Sequence, residues 1–470
     1  MNTMEFSKVN TEDIAYLKDL CGERVFTGDA IHEDYGHDEM PEYGVHMPDV
    51  VVEALTTDEV SAIVAYAHVR GIPIVPRGTG TGLCGGCVAI HGGIMISTAR
   101  MNKIIEFDEK NLTVRVQAGV VLLDLIEESK KRGLLYCPDP GEKSATLGGN
   151  IMTNAGGMRA VKYGVTGDHV LGLTCVLADG SIIETGGKVV KDRSGYDLKG
   201  MFVGSEGTLC VVTEALMRLL PLPAYTMSLL VPYESVEACI STVPRIMEAR
   251  IVPTAVEFAQ REVVLLAEKS LGKTFPHKTA PAYLIFSFDG STQEELSAAY
   301  EKVADICLES GAIDVFISDT EERLESIWAP RGEFLEAIKS STDEMDECDV
   351  VVPRGRMADF IYFLEELRKE QDIRIVSFGH AGDGNLHVYV CRDGMDKEEY
   401  AKKLQTCMQA MYDKAKDMDG KVSGEHGIGH AKREYLAQSL SPEEMAAMKA
   451  VKQAFDSKGI MNPGKVVYID

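Results

Sequence analysis

The stretch Arg77-Gly78-Thr79-Gly80-Thr81-Gly82-Leu83-Cys84-Gly85-Gly86 decides the fold. Gly80, Gly82 and Gly85 satisfy G-x-G-x-x-G, a spacing that opens an amphipathic helix in a dinucleotide-binding βαβ unit. Here the chain continues Val88-Ala89-Ile90-His91-Gly92-Gly93-Ile94-Met95-Ile96, glycine-interrupted and without helical period, so the βαβ reading fails on context. Two readings remain. One is a loop whose backbone N–H groups converge on a pyrophosphate without side-chain obstruction; the other is a glycine-rich surface turn.

Upstream, Val50-Val51-Val52 reads as a buried strand and Thr56 with Glu59 as a capping box. Val60, Ile63, Val64 and Ala67 fall on one helical face, Gly71 stops that helix, and Pro73-Ile74-Val75-Pro76 is a short strand. Residues 1–48 hold turn residues and acids without a long periodic segment and are expected to form a leading arm. Downstream, strand Thr113–Gln117 and a helix over 122–131 lead into a second glycine-rich run, Pro138 through Asn150, continued by Thr153-Asn154-Ala155-Gly156-Gly157 and Lys162-Tyr163-Gly164. Its small residues and amides suit an extended segment lying along a large planar ligand. A second such loop weighs against an incidental surface turn. A hairpin turning at Asp179-Gly180 follows.

From about residue 221 the pattern changes to strand and helix pairs: strands at 225–231, 282–288 and 314–317, helices at 236–247 and Gln293–Glu309. This suggests an α+β domain with an antiparallel sheet. At 470 residues two or three domains are expected, and 45% hydrophobic with 26% charged residues describes a globular chain. The 73 acidic against 48 basic residues leave a formal charge of -25, which disfavours nucleic acid and anionic lipid. No run of about 18 apolar residues occurs, and the N-terminus lacks a basic segment before an apolar core. A cytoplasmic protein with no transmembrane segment is expected. Eleven cysteines scattered through a large chain are expected to be reduced. Cys84 and Cys87 form a C-x-x-C, but in a glycine loop rather than at a helix N-terminus, and there is no ferredoxin-like run.

The ordered motifs P-R-G-T-G-T-G at 76–82, D-P-G-x-x-x-x-T-L-G-G at 139–149, N-x-G-G at 154–157, S-G-Y-D-L at 194–198 and G-S-E-G-T-L at 204–209 resemble the FAD domain of the vanillyl-alcohol-oxidase flavoproteins. Among these the chain is most similar to the FAD-dependent D-2-hydroxyacid dehydrogenases, the group of D-lactate dehydrogenase and the glycolate oxidase flavin subunit, from about residue 49 to the C-terminus. The resemblance implies an α+β protein: an N-terminal arm (1–48), a two-subdomain FAD-binding domain (49–220), a substrate or cap domain (221–420), and a C-terminal segment (421–470) returning to the FAD domain. FAD would be held by Pro76, Arg77, Gly78, Thr79, Gly80, Thr81 and Gly82, and by Pro140, Gly141, Ser144, Thr146, Gly148 and Gly149. Asn154, Gly156, Gly157, Tyr163 and Gly164 would continue the cradle, with Glu206, Gly207 and the C-terminal Asn462. Members that tether the flavin place a histidine where this chain has Thr81, so the FAD is expected to be noncovalent.

The chemistry is expected at Gly379-His380-Ala381-Gly382-Asp383-Gly384-Asn385-Leu386-His387 and at Gly424-Glu425-His426-Gly427. Gly382 and Gly384 argue against a helix between the histidines, and a hairpin would bring the imidazoles together. From spacing alone they could equally cap turns. By resemblance His380, His387 and Glu425 ligate one divalent metal (zinc, iron or manganese), and His426 is the base. Arg331 takes the substrate carboxylate, and Tyr389 stands where 2-hydroxyglutarate enzymes carry an extra polar residue, which favours a small monocarboxylate. A metal-bound hydroxyl would lose its proton to His426 while hydride passes to flavin N5. The implied activity is oxidation of D-lactate to pyruvate, with glycolate and D-2-hydroxyglutarate as alternatives. The implied acceptor is an electron-transferring flavoprotein, coupled in anaerobes to NAD and ferredoxin, with an iron–sulfur subunit or quinone as alternatives. A noncatalytic flavin-bearing subunit would instead carry degraded metal motifs, and both are complete here.

Overall fold

The computed structural model describes residues 5–272 and 274–467. Residues 1–4, part of the N-terminus read above, lie outside the described residues. The chain divides into two compact units: Met1–Gly156 with Val165–Leu222 and Glu425–Asp470, and Gly157–Gly164 with Pro223–Gly424. No helix among the described residues is long and apolar enough to cross a membrane.

The first unit holds two main sheets, of four and five strands, and a two-stranded ladder pairing Leu134–Leu135 with Leu220–Pro221. In one, β1 (Val25–Thr27), β2 (Val50–Glu53), β3 (Ile74–Arg77) and β4 (Ile94–Ser97) run in the order β1-β2-β4-β3, with β2 and β3 parallel to β4. Val50, Val51 and Val52 are all fully buried, as a strand covered on both faces requires. Helix α1 (Thr11–Cys21) lies in the segment expected to lack a periodic element; Asn10 caps it, but only Asp13, Leu17 and Cys21 are buried, too sparse a stripe to read. Helix α2 (Thr57–Arg70) buries Val60, Ile63, Val64 and Ala67 and ends at Gly71, whose φ of 69° suits glycine. Thr56 accepts from the Glu59 N–H at 3.2 Å, but the Glu59 carboxylate reaches Leu55 N and Arg24 instead, so the capping box is one-sided.

The other sheet is antiparallel: β5 (Ile104–Asp108), β6 (Thr113–Gln117), β7 (Val170–Leu177), β8 (Ile182–Gly186) and β9 (Cys210–Arg218), ordered β5-β6-β9-β7-β8. Its core joins Val114, Val116, Leu173 and Val212 to Leu122 and Leu125 of α3 (Leu122–Lys130) and to Leu147 and Ile151 of α4 (Leu147–Thr153). Helix α4 corrects the expectation of a continuous extended segment. Thr146 caps it through the Gly149 N–H, and Gly148 donates to Ala118 O at 2.7 Å. A Cβ at Gly148 would meet the Ala118 Cβ at 2.8 Å, so this glycine permits close packing rather than extension.

The second unit is built on one seven-stranded antiparallel sheet. Its strands are β10 (Tyr225–Tyr233), β11 (Ala255–Gln260), β12 (Ala282–Gly290), β13 (Phe316–Ser318), β14 (Met345–Val351), β15 (Arg374–His380) and β16 (Asn385–Cys391), in the order β13-β10-β12-β11-β15-β16-β14. Helix α5 (Val236–Glu248) places Cys239, Ile240, Val243 and Ile246 in the core. Strand β13 begins two residues later than the expected 314–317, and β11 has no counterpart in the sequence reading.

Candidate active site

In the second unit the histidines sit on a hairpin, because Gly384 turns the chain at φ 95° between β15 and β16 and a Cβ there would meet Val352 O at 2.0 Å. Opposed residues of antiparallel strands share a face. The register pairs Glu257 with His380, Phe378 with His387, Asp349 with His387, and Glu347 with Tyr389. One face of β11, β15, β16 and β14 therefore carries both imidazoles and three acids. Glu257, Glu347 and Asp349 are at most 1% exposed, and His380 and His387 are each 4% exposed.

The two Nε2 atoms lie 3.4 Å apart. Two ring nitrogens of a tetrahedral zinc site, each at about 2.05 Å from the ion, stand about 3.3 Å apart, so the pair fits a shared cation. His380 Nδ1 meets Glu257 Oε1 at 2.7 Å, and His387 Nδ1 lies 3.6 Å from Asp349 Oδ1 and 3.8 Å from Glu347 Oε1. The Glu257 carboxylate behind His380 fixes the ring orientation that presents its Nε2. Asp349 also accepts from Asn385 Nδ2 (2.7 Å), Ser423 Oγ (2.7 Å) and Gly424 N (3.0 Å), which ties the residue preceding Glu425 to this sheet face.

Arg331, on the helix Glu321–Gly332, is buried rather than solvated. Its Nε donates to Glu257 Oε2 at 2.7 Å, and its guanidinium stands 4.8 Å from the Phe378 ring centre. Burial alone would raise the Glu257 carboxyl, but His380 and Arg331 hold it below the ordinary range. Tyr389 is buried and donates to Glu347 Oε1 at 2.7 Å. Of the other residues assigned to the cofactor, Gly157 and Gly164 take positive φ, and Tyr163 donates to Asp289 at 2.9 Å.

In the first unit the glycine loop is folded onto its neighbours. Gly78 faces Thr146, whose Oγ1 a Cβ would meet at 2.1 Å; Thr79 Oγ1 donates to Ser144 O at 3.1 Å. Arg77 turns inward and donates to His37 O and Asp34 O, both at 2.8 Å. Gly82 O accepts from Glu39 N, and Gly207 packs on Pro76. Near Pro140 and Gly141, Lys143 Nζ donates to Pro140 O at 2.7 Å. Asn154 caps α4 in the left-handed region and accepts from Gly167 N at 2.8 Å. The Glu206 carboxylate accepts from the Ile428 and Gly429 N–H groups, each at 2.7 Å; burial raises it despite those bonds. Cys84 Sγ donates to His426 O at 3.2 Å, and Gly156 lies against Glu425, whose Oε2 a Cβ would meet at 2.6 Å. Both cysteines of the C-x-x-C are free thiols that burial pushes up.

Asn462 Nδ2 donates to Gly86 O at 2.8 Å and Glu206 O at 2.7 Å, while its Oδ1 is buried without a partner among the described residues; so is Asn150 Nδ2 on α4. An orphaned acceptor and donor beside two glycine loops suit a bound flavin, whose ring system offers both complements.

The family models agree on this point. Residues 48–186 match the FAD binding domain and residues 222–466 the C-terminal domain of FAD linked oxidases. The chain belongs to the FAD-linked oxidases. This FAD-linked oxidase is 47% identical to a D-lactate dehydrogenase of Anaerostipes hadrus over 100% of both chains. It is 42% identical to the glycolate oxidase subunit GlcD of Bacillus subtilis (strain 168) over 92% of this chain and 91% of that one. Its fold matches a crystal structure of p-cresol methylhydroxylase with substrate bound, with TM-score 0.81 and 19% identity over 97% of this chain and 96% of that one. It is thus an FAD-dependent oxidoreductase with a vanillyl-alcohol-oxidase-type fold.

Three buried acids of this FAD-linked oxidase, Glu257, Glu347 and Asp349, escaped the sequence reading; only the register pairs tie them to the histidines. His430, four residues past His426, is held down to about 4, first by burial and then by Lys465, His46 and Arg433. The unfolded chain takes up that proton near pH 6.5 and the folded chain refuses it until about pH 4. The native state therefore keeps its full stability above about pH 6.5 and loses it as pH falls towards 4, by on the order of 2 kcal/mol after discounting for solvent screening. Thermal melts between pH 4 and 7 should show a shallower acid decline in H430Q than in the wild type.

Proposed function

We propose that this FAD-linked oxidase oxidises a small D-2-hydroxyacid, D-lactate to pyruvate, with a divalent metal (zinc, iron or manganese) held by His380, His387 and Glu425. The observation that carries the proposal is the facing pair of imidazoles, Nε2 to Nε2 at 3.4 Å over a floor of buried acids, in a chain whose full-length relative is a D-lactate dehydrogenase. Bound, the dication supplies Lewis acidity to the substrate hydroxyl and noncovalent FAD supplies the two-electron acceptor. His426 takes the hydroxyl proton. Arg331, anchored through Nε and Nη2, offers its remaining edge to the substrate carboxylate, where a planar fork suits a planar anion. Tyr389 spends its hydroxyl on Glu347 and brings no charge for a distal carboxylate, which supports a monocarboxylate.

Electrons leave through a protein partner, an electron-transferring flavoprotein as the resemblance implies, because the eleven cysteines lie along the sequence without the closely spaced run that a cluster of this chain's own would need. Anaerobic bleaching of the purified flavoprotein by D-lactate, L-lactate, glycolate and D-2-hydroxyglutarate tests the substrate. D-Lactate should lead glycolate by about 10-fold or more in kcat/KM, the worth of one well-packed methyl group. Preference for D-2-hydroxyglutarate would overturn the assignment. Co-purification tests the partner, and rapid peroxide formation by the isolated protein would point to an oxidase instead.

A further inference from the structure

We propose that Glu257 is a positioning residue that sets two functional groups at once: the tautomer of His380 and the orientation of Arg331. The inference rests on the reading above and concerns a side chain outside both histidine motifs. Glu257 stands on β11, directly opposite His380 of β15. Its side chain is fully buried, and each of its oxygens is committed: Oε1 to His380 Nδ1 at 2.7 Å, Oε2 to Arg331 Nε at 2.7 Å and Nη2 at 2.5 Å.

An ionised carboxylate only accepts hydrogen bonds, so the contact with His380 requires a proton on Nδ1. A neutral imidazole protonated there has its lone pair on Nε2, the atom that faces His387. Without the carboxylate the ring is free to carry its proton on Nε2, where it cannot ligate. The same carboxylate fixes Arg331. Its grip on the Nε and Nη2 edge, with Phe378 and Phe334 stacked at 4.8 and 5.6 Å from the guanidinium carbon, leaves Nη1 without a hydrogen-bond partner among the described residues. A carboxylate ligand would approach on that side. One acid thus links the metal-binding and carboxylate-binding functions through two short bonds, and a glutamine cannot replace it: its amide has one acceptor oxygen for two sets of donors, and its NH2 would face a donor.

A purely structural ion pair would make a different prediction. Replacing a buried pair member would lower stability and leave metal affinity unchanged. The test uses FAD-loaded protein, wild type and E257Q, stripped with chelator and titrated with Zn2+ or Mn2+, with bound metal counted by atomic emission. E257Q should bind metal about 10- to 100-fold more weakly, the usual effect of losing a carboxylate behind a ligating histidine. With metal restored in excess, its KM for D-lactate should remain raised because Arg331 is no longer held. E257Q binding metal with the wild-type constant would overturn the role of Glu257 while leaving the metal site standing. Wild-type protein that takes up no metal would overturn the metal site itself, and Glu257's role with it. Should E257Q fail to fold, 15N-histidine NMR of the stripped wild-type protein decides: the Nδ1–H pattern for His380 supports the assignment, and the Nε2–H pattern defeats it.

Discussion

Replacing His426 by alanine should leave the flavin absorption spectrum unchanged and slow anaerobic bleaching by D-lactate by about 10²- to 10⁴-fold, the usual worth of a positioned base. The flavin should survive because backbone groups hold the loop carrying His426. Cys84 donates to the His426 carbonyl, and the Glu206 carboxylate takes the N–H groups of Ile428 and Gly429. All of these contacts remain when the imidazole is removed. Stopped-flow bleaching over pH 5 to 9 is the measurement. The wild-type rate should rise with pH through one ionisation, as a base must be deprotonated to act, and H426A should lose that rise along with the rate. Bleaching at the wild-type rate would remove His426 from the mechanism.

Local signals placed much of the fold. Strand Thr113–Gln117 and helix Gln293–Glu309 are found where propensity and period put them. Gly384 between two apolar runs announced the hairpin that joins His380 to His387. What stayed hidden depends on partners distant in sequence. Glu257 interrupts Ala255-Val256-Glu257-Phe258 as a solvent-facing position would, and Met345-Asp346-Glu347-Cys348-Asp349 reads as an exposed acidic run. Their burial makes sense only once the register sets Glu257 opposite His380 and Asp349 opposite His387. Helix α4 was missed for a related reason. Two glycines in Leu147-Gly148-Gly149-Asn150 lower helix propensity by about 1 kcal/mol each, and the compensating contact of Gly148 with Ala118 lies across a long separation in the chain. Likewise nothing local in Gly157–Gly164 tells that this short segment belongs with the second unit, where Lys162 and Tyr163 bond Asp289.

Loss of the dication should be the larger functional defect. Coordination to zinc brings bound water from far above the physiological range down to a pKa of about 7, and a free alcohol is about as weak an acid as free water, so an uncoordinated substrate hydroxyl is far beyond the reach of an imidazole. Substituting His387 by alanine should therefore abolish stoichiometric metal and reduce bleaching by more than about 10³-fold, with no recovery on adding Zn2+ or Mn2+. Chelator-treated wild type should lose the same activity and regain it with metal. Stability should move with occupancy. Glu257, Glu347 and Asp349 are buried around the imidazoles, so a bound dication offsets the negative charge gathered on this sheet face. A ligand present at about 1,000 times its Kd stabilises by about 4 kcal/mol, and at about 2–4 °C per kcal/mol in a unit of this size the stripped protein should melt on the order of 10 °C lower. Metal-free wild type that bleaches at the full rate, or that melts where the loaded protein does, would remove the ion from both chemistry and fold and leave the paired histidines as a hydrogen-bonded element of the sheet.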